Sequence, residues 1–199
     1  MPRRSQEDRS RSTRTALEDA GRRLFTERGF AGTSAEDLVA AAGVTRGALH
    51  HHYADKRGLF LAVLEQIETE ITTEIENAIA TVDPEELLTV MAVGLNVFME
   101  ICRRPDVLRI MLTDAPAVLG WSAWREFETA HSLGLITAQL ESVRAAGLIP
   151  DVAIPVLAQL LISAISEAAL IVAHAEDPEA AGAEAQQALL VLVGGMLKS

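Results

Sequence analysis

Apolar residues recur at three- and four-residue spacing along most of the chain, which is the period of amphipathic α-helices. The longest such series predicts a single helix from about Asp55 to Ala80. Its apolar members are Leu59, Phe60, Val63, Leu64, Ile67, Ile71, Ile75 and Ile79. No segment alternates apolar and polar residues over a useful length, so we predict an all-α protein without a β-sheet.

Proline, glycine and capping residues predict where the later helices begin and end. We expect helices over 84–103, 116–146, 150–173 and 177–197, with a short one that starts at Pro105. With the long helix described above and three helices before it, the predicted total is nine.

Two short helices joined by a tight turn are predicted between Thr33 and Lys56. Thr33 and Ser34 each precede an acidic residue by three positions, which is the capping-box spacing and predicts a helix start near residue 34. Gly43 can adopt a positive φ and supplies the turn, and Thr45 caps the second helix. This is the pattern of a helix-turn-helix, which reads DNA with its second helix.

The second of these helices has an inner and an outer side. Leu49 and Tyr53 lie four residues apart and are expected to face the core. Gly47 and Ala48 are small enough to let the helix backbone approach base edges and phosphates closely. The outward positions are Arg46, Gly47, Ala48, His50 and His51.

The segment from Thr13 to Leu64 resembles the amino-terminal domain of the TetR family of bacterial repressors. LFTERGFAGTS is similar to the family's turn from helix 1 into helix 2, and AAGV to its inter-helix turn. HHHYADKRGLF stands where the family usually has a Tyr-x-His/Tyr-Phe-x-x-Lys-x-x-Leu run. His50 replaces the usual phosphate-binding Tyr of that run, and Tyr53 replaces a buried Phe.

The resemblance implies an all-α, nine-helix protein that binds a nearly palindromic double-stranded DNA operator as a homodimer and is released by a small-molecule effector. It implies a phosphate contact from Lys56 and one from His50, whose imidazolium form would strengthen it. Repression and activation differ in where the operator lies relative to the promoter, and the amino-acid sequence does not reveal that position. The residues expected to contact DNA are Thr33, Thr45, Arg46, Gly47, Ala48, His50, His51 and Lys56.

The formal charge of −11 is unevenly distributed. Residues 1–60 carry ten Arg and one Lys against eight acidic residues, whereas residues 61–199 carry six basic and twenty acidic residues. Only the amino-terminal part can therefore approach a polyanion. We predict a flexible basic arm over 1–9, a DNA-binding domain over 10–56, and a ligand-binding and dimerisation domain over 57–199.

Composition favours a soluble, cytoplasmic protein. Of the 199 residues, 49% are hydrophobic, and no apolar run reaches 18 residues without a charged or strongly polar break. We therefore predict neither a signal peptide nor a membrane-spanning helix. A single cysteine, Cys102, cannot form an intrachain disulfide and is expected in the core.

The carboxy-terminal part is expected to bind a hydrophobic or amphipathic effector between its middle helices. Its Met, Phe and Trp side chains suit an apolar cavity, and they equally suit an ordinary core. Gln159, Ser163 and Glu167 recur every fourth residue on one helix face, where Glu167 binds ligand, bonds across a dimer interface or faces solvent. The residues expected to bind ligand are Asn96, Phe98, Met111, Trp121, Trp124, Phe127, His131 and Glu167.

The last two predicted helices mix small residues with Leu, Ile and Val, which suits close packing against a twofold mate and places the homodimer contact there. An enzyme and a cofactor are not expected, because the chain has no glycine-rich phosphate loop, nucleophile elbow or His-Glu-x-x-His motif. Consecutive histidines at 50–52 point about 100° apart on a helix, so no metal site is expected. The alternative is a helical ligand-binding or scaffolding protein that no longer binds DNA, which would predict a damaged second helix.

Overall fold

A computed structural model describes residues 6–131 and 133–197, and all regular structure in those residues is helical, as predicted. The amino-terminal part, here called the head, comprises α1 (Gln6–Arg28), α2 (Ala35–Ala42) and α3 (Arg46–Tyr53). The long α4 (Lys56–Ile79) connects the head to the remainder. The remainder, here called the body, comprises α5 (Leu87–Ile101), a π-helical segment (Val107–Asp114) continuous with α6 (Ala115–Leu119), α7 (Trp121–His131), α8 (Leu133–Ala145), α9 (Ile154–His174) and α10 (Pro178–Gly194).

Several predicted helix ends are confirmed. Helix α4 lies within one residue of the predicted bounds at both ends. Helix α10 begins at Pro178 behind Asp177, whose carboxylate accepts hydrogen bonds from the next free backbone N–H groups. Gly147, with φ of 74°, follows the end of α8.

Three predicted helices differ from the structure. Helix α9 begins at Ile154 rather than at residue 150. The described residues contain ten α-helices instead of nine, and the predicted helix 116–146 is interrupted at Gly120, whose φ of 80° turns the chain. Helix α5 starts only at Leu87, because Pro84 lies in a turn in which Asp83 accepts a hydrogen bond from the Glu85 N–H.

The predicted basic arm over 1–9 is wrong for its second half. Helix α1 already includes Gln6, so Arg9 lies on a helix rather than in an irregular arm. Residues 1–5 of the predicted arm lie outside the described residues.

The larger of two apolar clusters runs from the head into the body. Phe25 of α1 and Phe60 of α4 are fully buried, and their rings meet edge-on with centroids 5.3 Å apart. The core continues along α4 to Ile71 and on to α5, the π-helical segment and α9. A second cluster, around Leu140 and Ile154, joins α8 to α9.

Head and body are also joined by polar contacts. Arg22 of α1 lies 2.7 Å from Asp106 and 2.6 Å from Glu70. Asp114 accepts a hydrogen bond of 2.7 Å from the Phe30 N–H, in the turn that leads to α2. Movement of the segment that carries Asp106 and Asp114 would therefore move the head.

Helix α9 is the one described helix that is long and apolar enough to cross a membrane, with a mean hydropathy of 2.1 over its most apolar stretch. It packs against α8, α10 and the π-helical segment, and Gln159, Ser163 and Glu167 interrupt its apolar surface. These contacts are typical of a core helix rather than a membrane-spanning one.

Candidate DNA interface and ligand cavity

Ser34, not Thr33, caps α2. The Ser34 hydroxyl accepts a hydrogen bond of 3.1 Å from the Asp37 N–H, and the Asp37 carboxylate accepts one of 2.9 Å from the Ser34 N–H. These bonds complete the capping box. The Ser34 hydroxyl also donates to the Asp37 carboxylate at 2.6 Å, and this bond, together with the one from the Ser34 N–H, lowers the pKa of the Asp37 carboxyl. Thr33 is only 1% exposed, and its hydroxyl donates to the Gly29 carbonyl oxygen at 2.8 Å. The expected DNA contact from the Thr33 side chain is therefore wrong, because that side chain is buried and engaged inside the head.

Helix α3 presents the remaining outward positions together. Gly43 adopts a φ of 66° at the turn, and the Ala48 N–H donates to the Thr45 hydroxyl oxygen at 3.3 Å, which caps the helix. Ala48 is half-buried. The exposed residues on this surface are Thr45, Arg46, Gly47, His50 and His51.

The inner side of α3 is held by Leu49 and Tyr53. Leu49 is 2% exposed, and the Tyr53 hydroxyl donates to the Glu18 carboxylate of α1 at 2.5 Å. Partial burial and this hydrogen bond raise the pKa of the Tyr53 phenol. Glu18 was not predicted, and it gives the Tyr at this position a polar partner that a Phe could not use.

Gly58 permits α4 to start directly against the end of α3. A Cβ at this position would lie 1.9 Å from the Tyr53 carbonyl oxygen, so any side chain would displace the backbone. The α3–α4 corner therefore depends on this glycine.

Lys56 points into the head rather than freely into solvent. Its Nζ donates to the carbonyl oxygens of Phe30, at 2.9 Å, and Thr33, at 2.8 Å, and lies 4.0 Å from the centroid of the Phe30 ring. Two of the three ammonium N–H groups are thus engaged inside the protein. Lys56 therefore holds the α1–α2 turn closed, and a contact with a DNA phosphate would use its third N–H group.

Arg46 forms an ion pair with Glu36 of α2. Their side chains are 77% and 65% exposed, and an exposed pair contributes only about 0–1 kcal/mol. Arg46 can therefore exchange this partner for a base edge or a phosphate at little cost.

The three histidines of α3 do not converge. The rings of His51 and His52 meet edge-on with centroids 5.0 Å apart, and partial burial, together with the charge of His51, lowers the pKa of His52. Within 6–131 and 133–197, no group of three or more His, Cys, Asp or Glu residues is placed to hold a metal ion.

The body contains a cavity of about 290 Å³ between α4, α5, α8, α9 and α10. This volume is close to the lower limit of small-molecule sites. Apolar side chains make up most of the wall, among them Ile71, Ile75, Leu95, Phe98, Ile136 and Ile165. The polar side chains of the wall are Glu68, Thr72 and Gln139.

Of the eight residues predicted to bind ligand, Phe98 alone lies in this wall. Met111 and Trp124 are buried in the core instead, at 3% and 6% exposure. Trp124 stacks on Phe127, with centroids 5.9 Å apart, and Phe127 stacks on the exposed His131 at 4.3 Å. Trp124, Phe127 and His131 thus form an aromatic cluster on α7, and neither they nor Met111 line the cavity.

The other three predicted ligand residues face outward. Trp121 is 72% exposed, Glu167 is exposed, and the exposed Asn96 accepts a hydrogen bond of 3.1 Å from the Gln186 amide. None of the three can anchor a molecule inside the cavity.

The polar side chains of α9 face two different directions. The Arg125 guanidinium of α7 faces the Gln159 amide and donates to the Ser163 hydroxyl at 3.4 Å. Gln159 and Ser163 therefore join α9 to α7, whereas Glu167 lies on the exposed side of α9.

Glu68 is the cavity residue that sequence reasoning missed. It is 2% exposed and lies four residues after Leu64 and three before Ile71, within the apolar series of α4. The signal in the sequence was a charged residue inside an otherwise apolar series. Burial and the Glu68 charge raise the pKa of the nearby Cys102 thiol to about 12.

Comparison with known proteins covers both parts of the chain. Residues 17–63 match the family described as bacterial regulatory proteins, tetR family, and residues 88–196 match the tetracyclin repressor-like C-terminal domain. The chain is 37% identical over 84 residues to the HTH-type transcriptional regulator CymR of Pseudomonas putida, and the aligned region covers 42% of this chain and 41% of CymR. It is 31% identical over 119 residues to the HTH-type transcriptional repressor AcnR of Corynebacterium glutamicum, which covers 56% of this chain and 62% of AcnR. The chain thus spans about two fifths to three fifths of the length of these curated relatives.

Structural similarity extends over the whole chain. The crystal structure of a TetR-family transcriptional regulator from Pectobacterium atrosepticum superimposes with a TM-score of 0.80 and 32% sequence identity. The superposition covers 98% of this chain and 99% of that one. With the exposed α3 surface and the two family matches, this likeness shows that the chain belongs to the TetR family of bacterial transcriptional regulators.

Proposed function

We propose that the protein is a ligand-responsive repressor that binds a nearly palindromic operator as a homodimer in the cytoplasm. The observation that carries the proposal is the intact α3 surface, where Arg46, Gly47 and His50 are exposed on a capped helix. This helix also belongs to the part of the chain with a net positive charge. Both features are typical of a recognition helix in the major groove.

The dimer contact is proposed on the outer faces of α9 and α10. Large apolar side chains there are between 54% and 70% exposed, and exposed apolar surface of this kind is typical of protein interfaces. Glu167 lies between Leu160 and Ile171 on the same side of α9, which suits a hydrogen bond across the twofold axis. The exposed apolar residues are Val156, Leu160 and Ile171 on α9, and Leu190, Val191 and Leu192 on α10.

Helix α4 provides the link from ligand to DNA. Its residues from Glu68 to Ile79 form part of the cavity wall, and its first residue, Lys56, is bonded to the α1–α2 turn. A ligand that shifts α4 would therefore change the distance between the two α3 helices of the dimer, so that they no longer fit successive major grooves. The ligand must bind the released form more tightly, by about 1.4 kcal/mol for each tenfold loss of operator affinity.

Selection of bound sequences from random DNA, followed by a footprint of the selected site, tests the proposal. Arg46→Ala should weaken binding to the selected site by about 1–3 kcal/mol and leave binding to random DNA nearly unchanged. Arg144→Ala, on α8 in the body, is the control and should change neither affinity.

Equal losses of affinity for selected and random DNA would show that Arg46 does not contact base edges. Failure to select any sequence would favour the alternative, a helical ligand-binding or scaffolding protein that no longer binds DNA specifically.

A further inference from the structure

The wall of the body's cavity is almost entirely aliphatic. Among the described residues it contains one aromatic side chain, Phe98, and no Lys, Arg or His. Planar aromatic molecules and organic cations are typically held against aromatic rings, and anions by Lys or Arg. The cavity therefore suits an uncharged molecule with a saturated carbon skeleton.

The one acidic residue of the described wall, Glu68, is already engaged. It is 2% exposed and interacts with another group of the protein. A cation that entered the cavity would lose its hydration and compete with that existing interaction. A carboxylate or phosphate would meet no cationic side chain in the described wall. Both kinds of charged ligand are therefore disfavoured.

Two neutral polar side chains of the wall, Thr72 on α4 and Gln139 on α8, are half-buried and form no hydrogen bond with any residue that the structure describes. Thr72 differs in this from its neighbours on the same helix. The hydroxyls of Thr69 and Thr73 donate to the carbonyl oxygens four residues earlier, each at 2.8 Å, as hydroxyls within helices commonly do. The Thr72 hydroxyl and the Gln139 amide are thus available to a ligand.

The volume of the cavity limits the size of that ligand. A cavity of about 150 Å³ with an apolar wall holds one benzene ring. The cavity of this protein is about 290 Å³, so a molecule of roughly ten to twelve carbon atoms fills it. A longer molecule would require the surrounding helices to move apart.

We infer that the cavity binds an uncharged, mainly aliphatic molecule of this size with one neutral hydrogen-bonding group, such as a hydroxyl or a carbonyl, which Thr72 and Gln139 recognise. This inference rests on the proposed function in taking the cavity as the effector site, and it names the chemical class of the effector. Because Thr72 lies on α4, the polar group of the ligand would bond to the helix that links the cavity to the head.

Three probes with the same chain and different ends test the charge of the ligand: octanol, octylamine and octanoate. Calorimetric titration of the intact protein should show octanol binding tighter than either charged probe by about tenfold or more, because burying a charged group in an apolar wall costs more than burying a hydroxyl. A charged probe that binds as tightly as octanol would overturn the inference.

Substitution of the two polar residues tests the hydrogen bond. Thr72→Val removes the hydroxyl and keeps the side-chain shape, so octanol binding should weaken by about two- to tenfold, the usual effect of one neutral hydrogen bond. Methylcyclohexane has no polar group and should bind the variant as before. Gln139→Leu should have the same selective effect. Thr73→Val, whose hydroxyl bonds to its own helix, is the matched control and should bind both probes as the parent does.

Unchanged binding of methylcyclohexane also shows that each variant is folded. Equal losses for octanol and methylcyclohexane, or no selective loss of octanol in either variant, would overturn the inference. Operator release by octanol is measured separately, by fluorescence anisotropy of labelled DNA. Octanol binding without operator release would support the site and contradict the proposed repressor mechanism, whereas specific operator binding by a protein that does not bind octanol would overturn the inference alone.

Discussion

The head and the body present opposite kinds of functional surface. The head exposes α3 to solvent on a scaffold set by local contacts, such as the Ser34–Asp37 capping box and the turn at Gly43. The body encloses an apolar cavity whose wall combines residues from five helices, from Glu68 on α4 to Leu197 beyond α10. A substitution on the head therefore removes one contact, whereas a substitution in the body alters the packing of several helices.

Lys56 shows that this division is not complete. It lies at the junction of the two regions, and its ammonium group bonds to carbonyl oxygens of the head rather than pointing at DNA. The start of α4 therefore belongs structurally to the head, while its later turns form part of the cavity wall. The following substitutions test how far the regions are separable.

The largest effect on operator affinity is expected from the body. Leu160→Glu places a charge in the exposed apolar face of α9, so the dimer should dissociate and operator affinity should fall by about a hundredfold or more, because the two heads no longer bind together. Sedimentation and DNA titration measure the two quantities. Thr73→Glu, on an exposed position of α4, is the control. A Leu160→Glu dimer with unchanged affinity would place the interface elsewhere.

A smaller effect, on stability rather than on operator affinity, is expected at Lys56, where the head meets the body. Lys56→Ala removes two charge-assisted hydrogen bonds and the contact with the Phe30 ring, so the free energy of unfolding should fall by about 1–3 kcal/mol in urea titration. Arg57→Ala, at the exposed neighbouring position, should leave stability nearly unchanged. Unchanged stability of Lys56→Ala, with a salt slope reduced by about 1, would make Lys56 a phosphate contact alone.

Filling the cavity should separate ligand binding from DNA binding. Ile136→Trp occupies part of the space between the helices, so binding of a hydrophobic probe such as octanol should weaken by about tenfold, while operator affinity without ligand stays the same. Leu148→Trp, on a half-exposed position after α8, is the control for the size of the new side chain. Full octanol binding by Ile136→Trp would show that the ligand lies elsewhere.

The smallest effect concerns the thiol of Cys102, which is 2% exposed. Burial, and the charge of Glu68, raise its pKa to about 12, above the ordinary thiol value of about 8.5. The folded state therefore holds this proton more tightly than the unfolded state. The resulting stability is complete below about pH 8.5 and is lost as the pH rises towards 12. Native protein at pH 8 should react with a thiol reagent only as fast as it unfolds, and rapid labelling would contradict the buried position.

Local chemistry made the head predictable. The capping box, the turn glycine and the inner pair Leu49 and Tyr53 act over four residues or fewer, so the short stretch between Thr33 and Lys56 contains most of what orients α3. The hydrogen bond from Tyr53 to Glu18 of α1 is the long-range addition. Only the tertiary structure decided between Thr33 and Ser34 as the cap, since Thr33 is drawn inward by the carbonyl oxygen of Gly29.

The body's cavity could not be located in the same way. Apolar side chains such as Met111 and Trp124 have identical patterns whether they fill a core or line a cavity, and the outcome depends on how helices far apart in the chain pack. By itself, the sequence determined an all-helical TetR-family chain with a capped recognition helix and a basic amino-terminal part. The tertiary structure alone placed Phe98 in the cavity wall, turned Trp121 to the surface and buried Glu68 in the same apolar wall, because these positions follow from long-range packing.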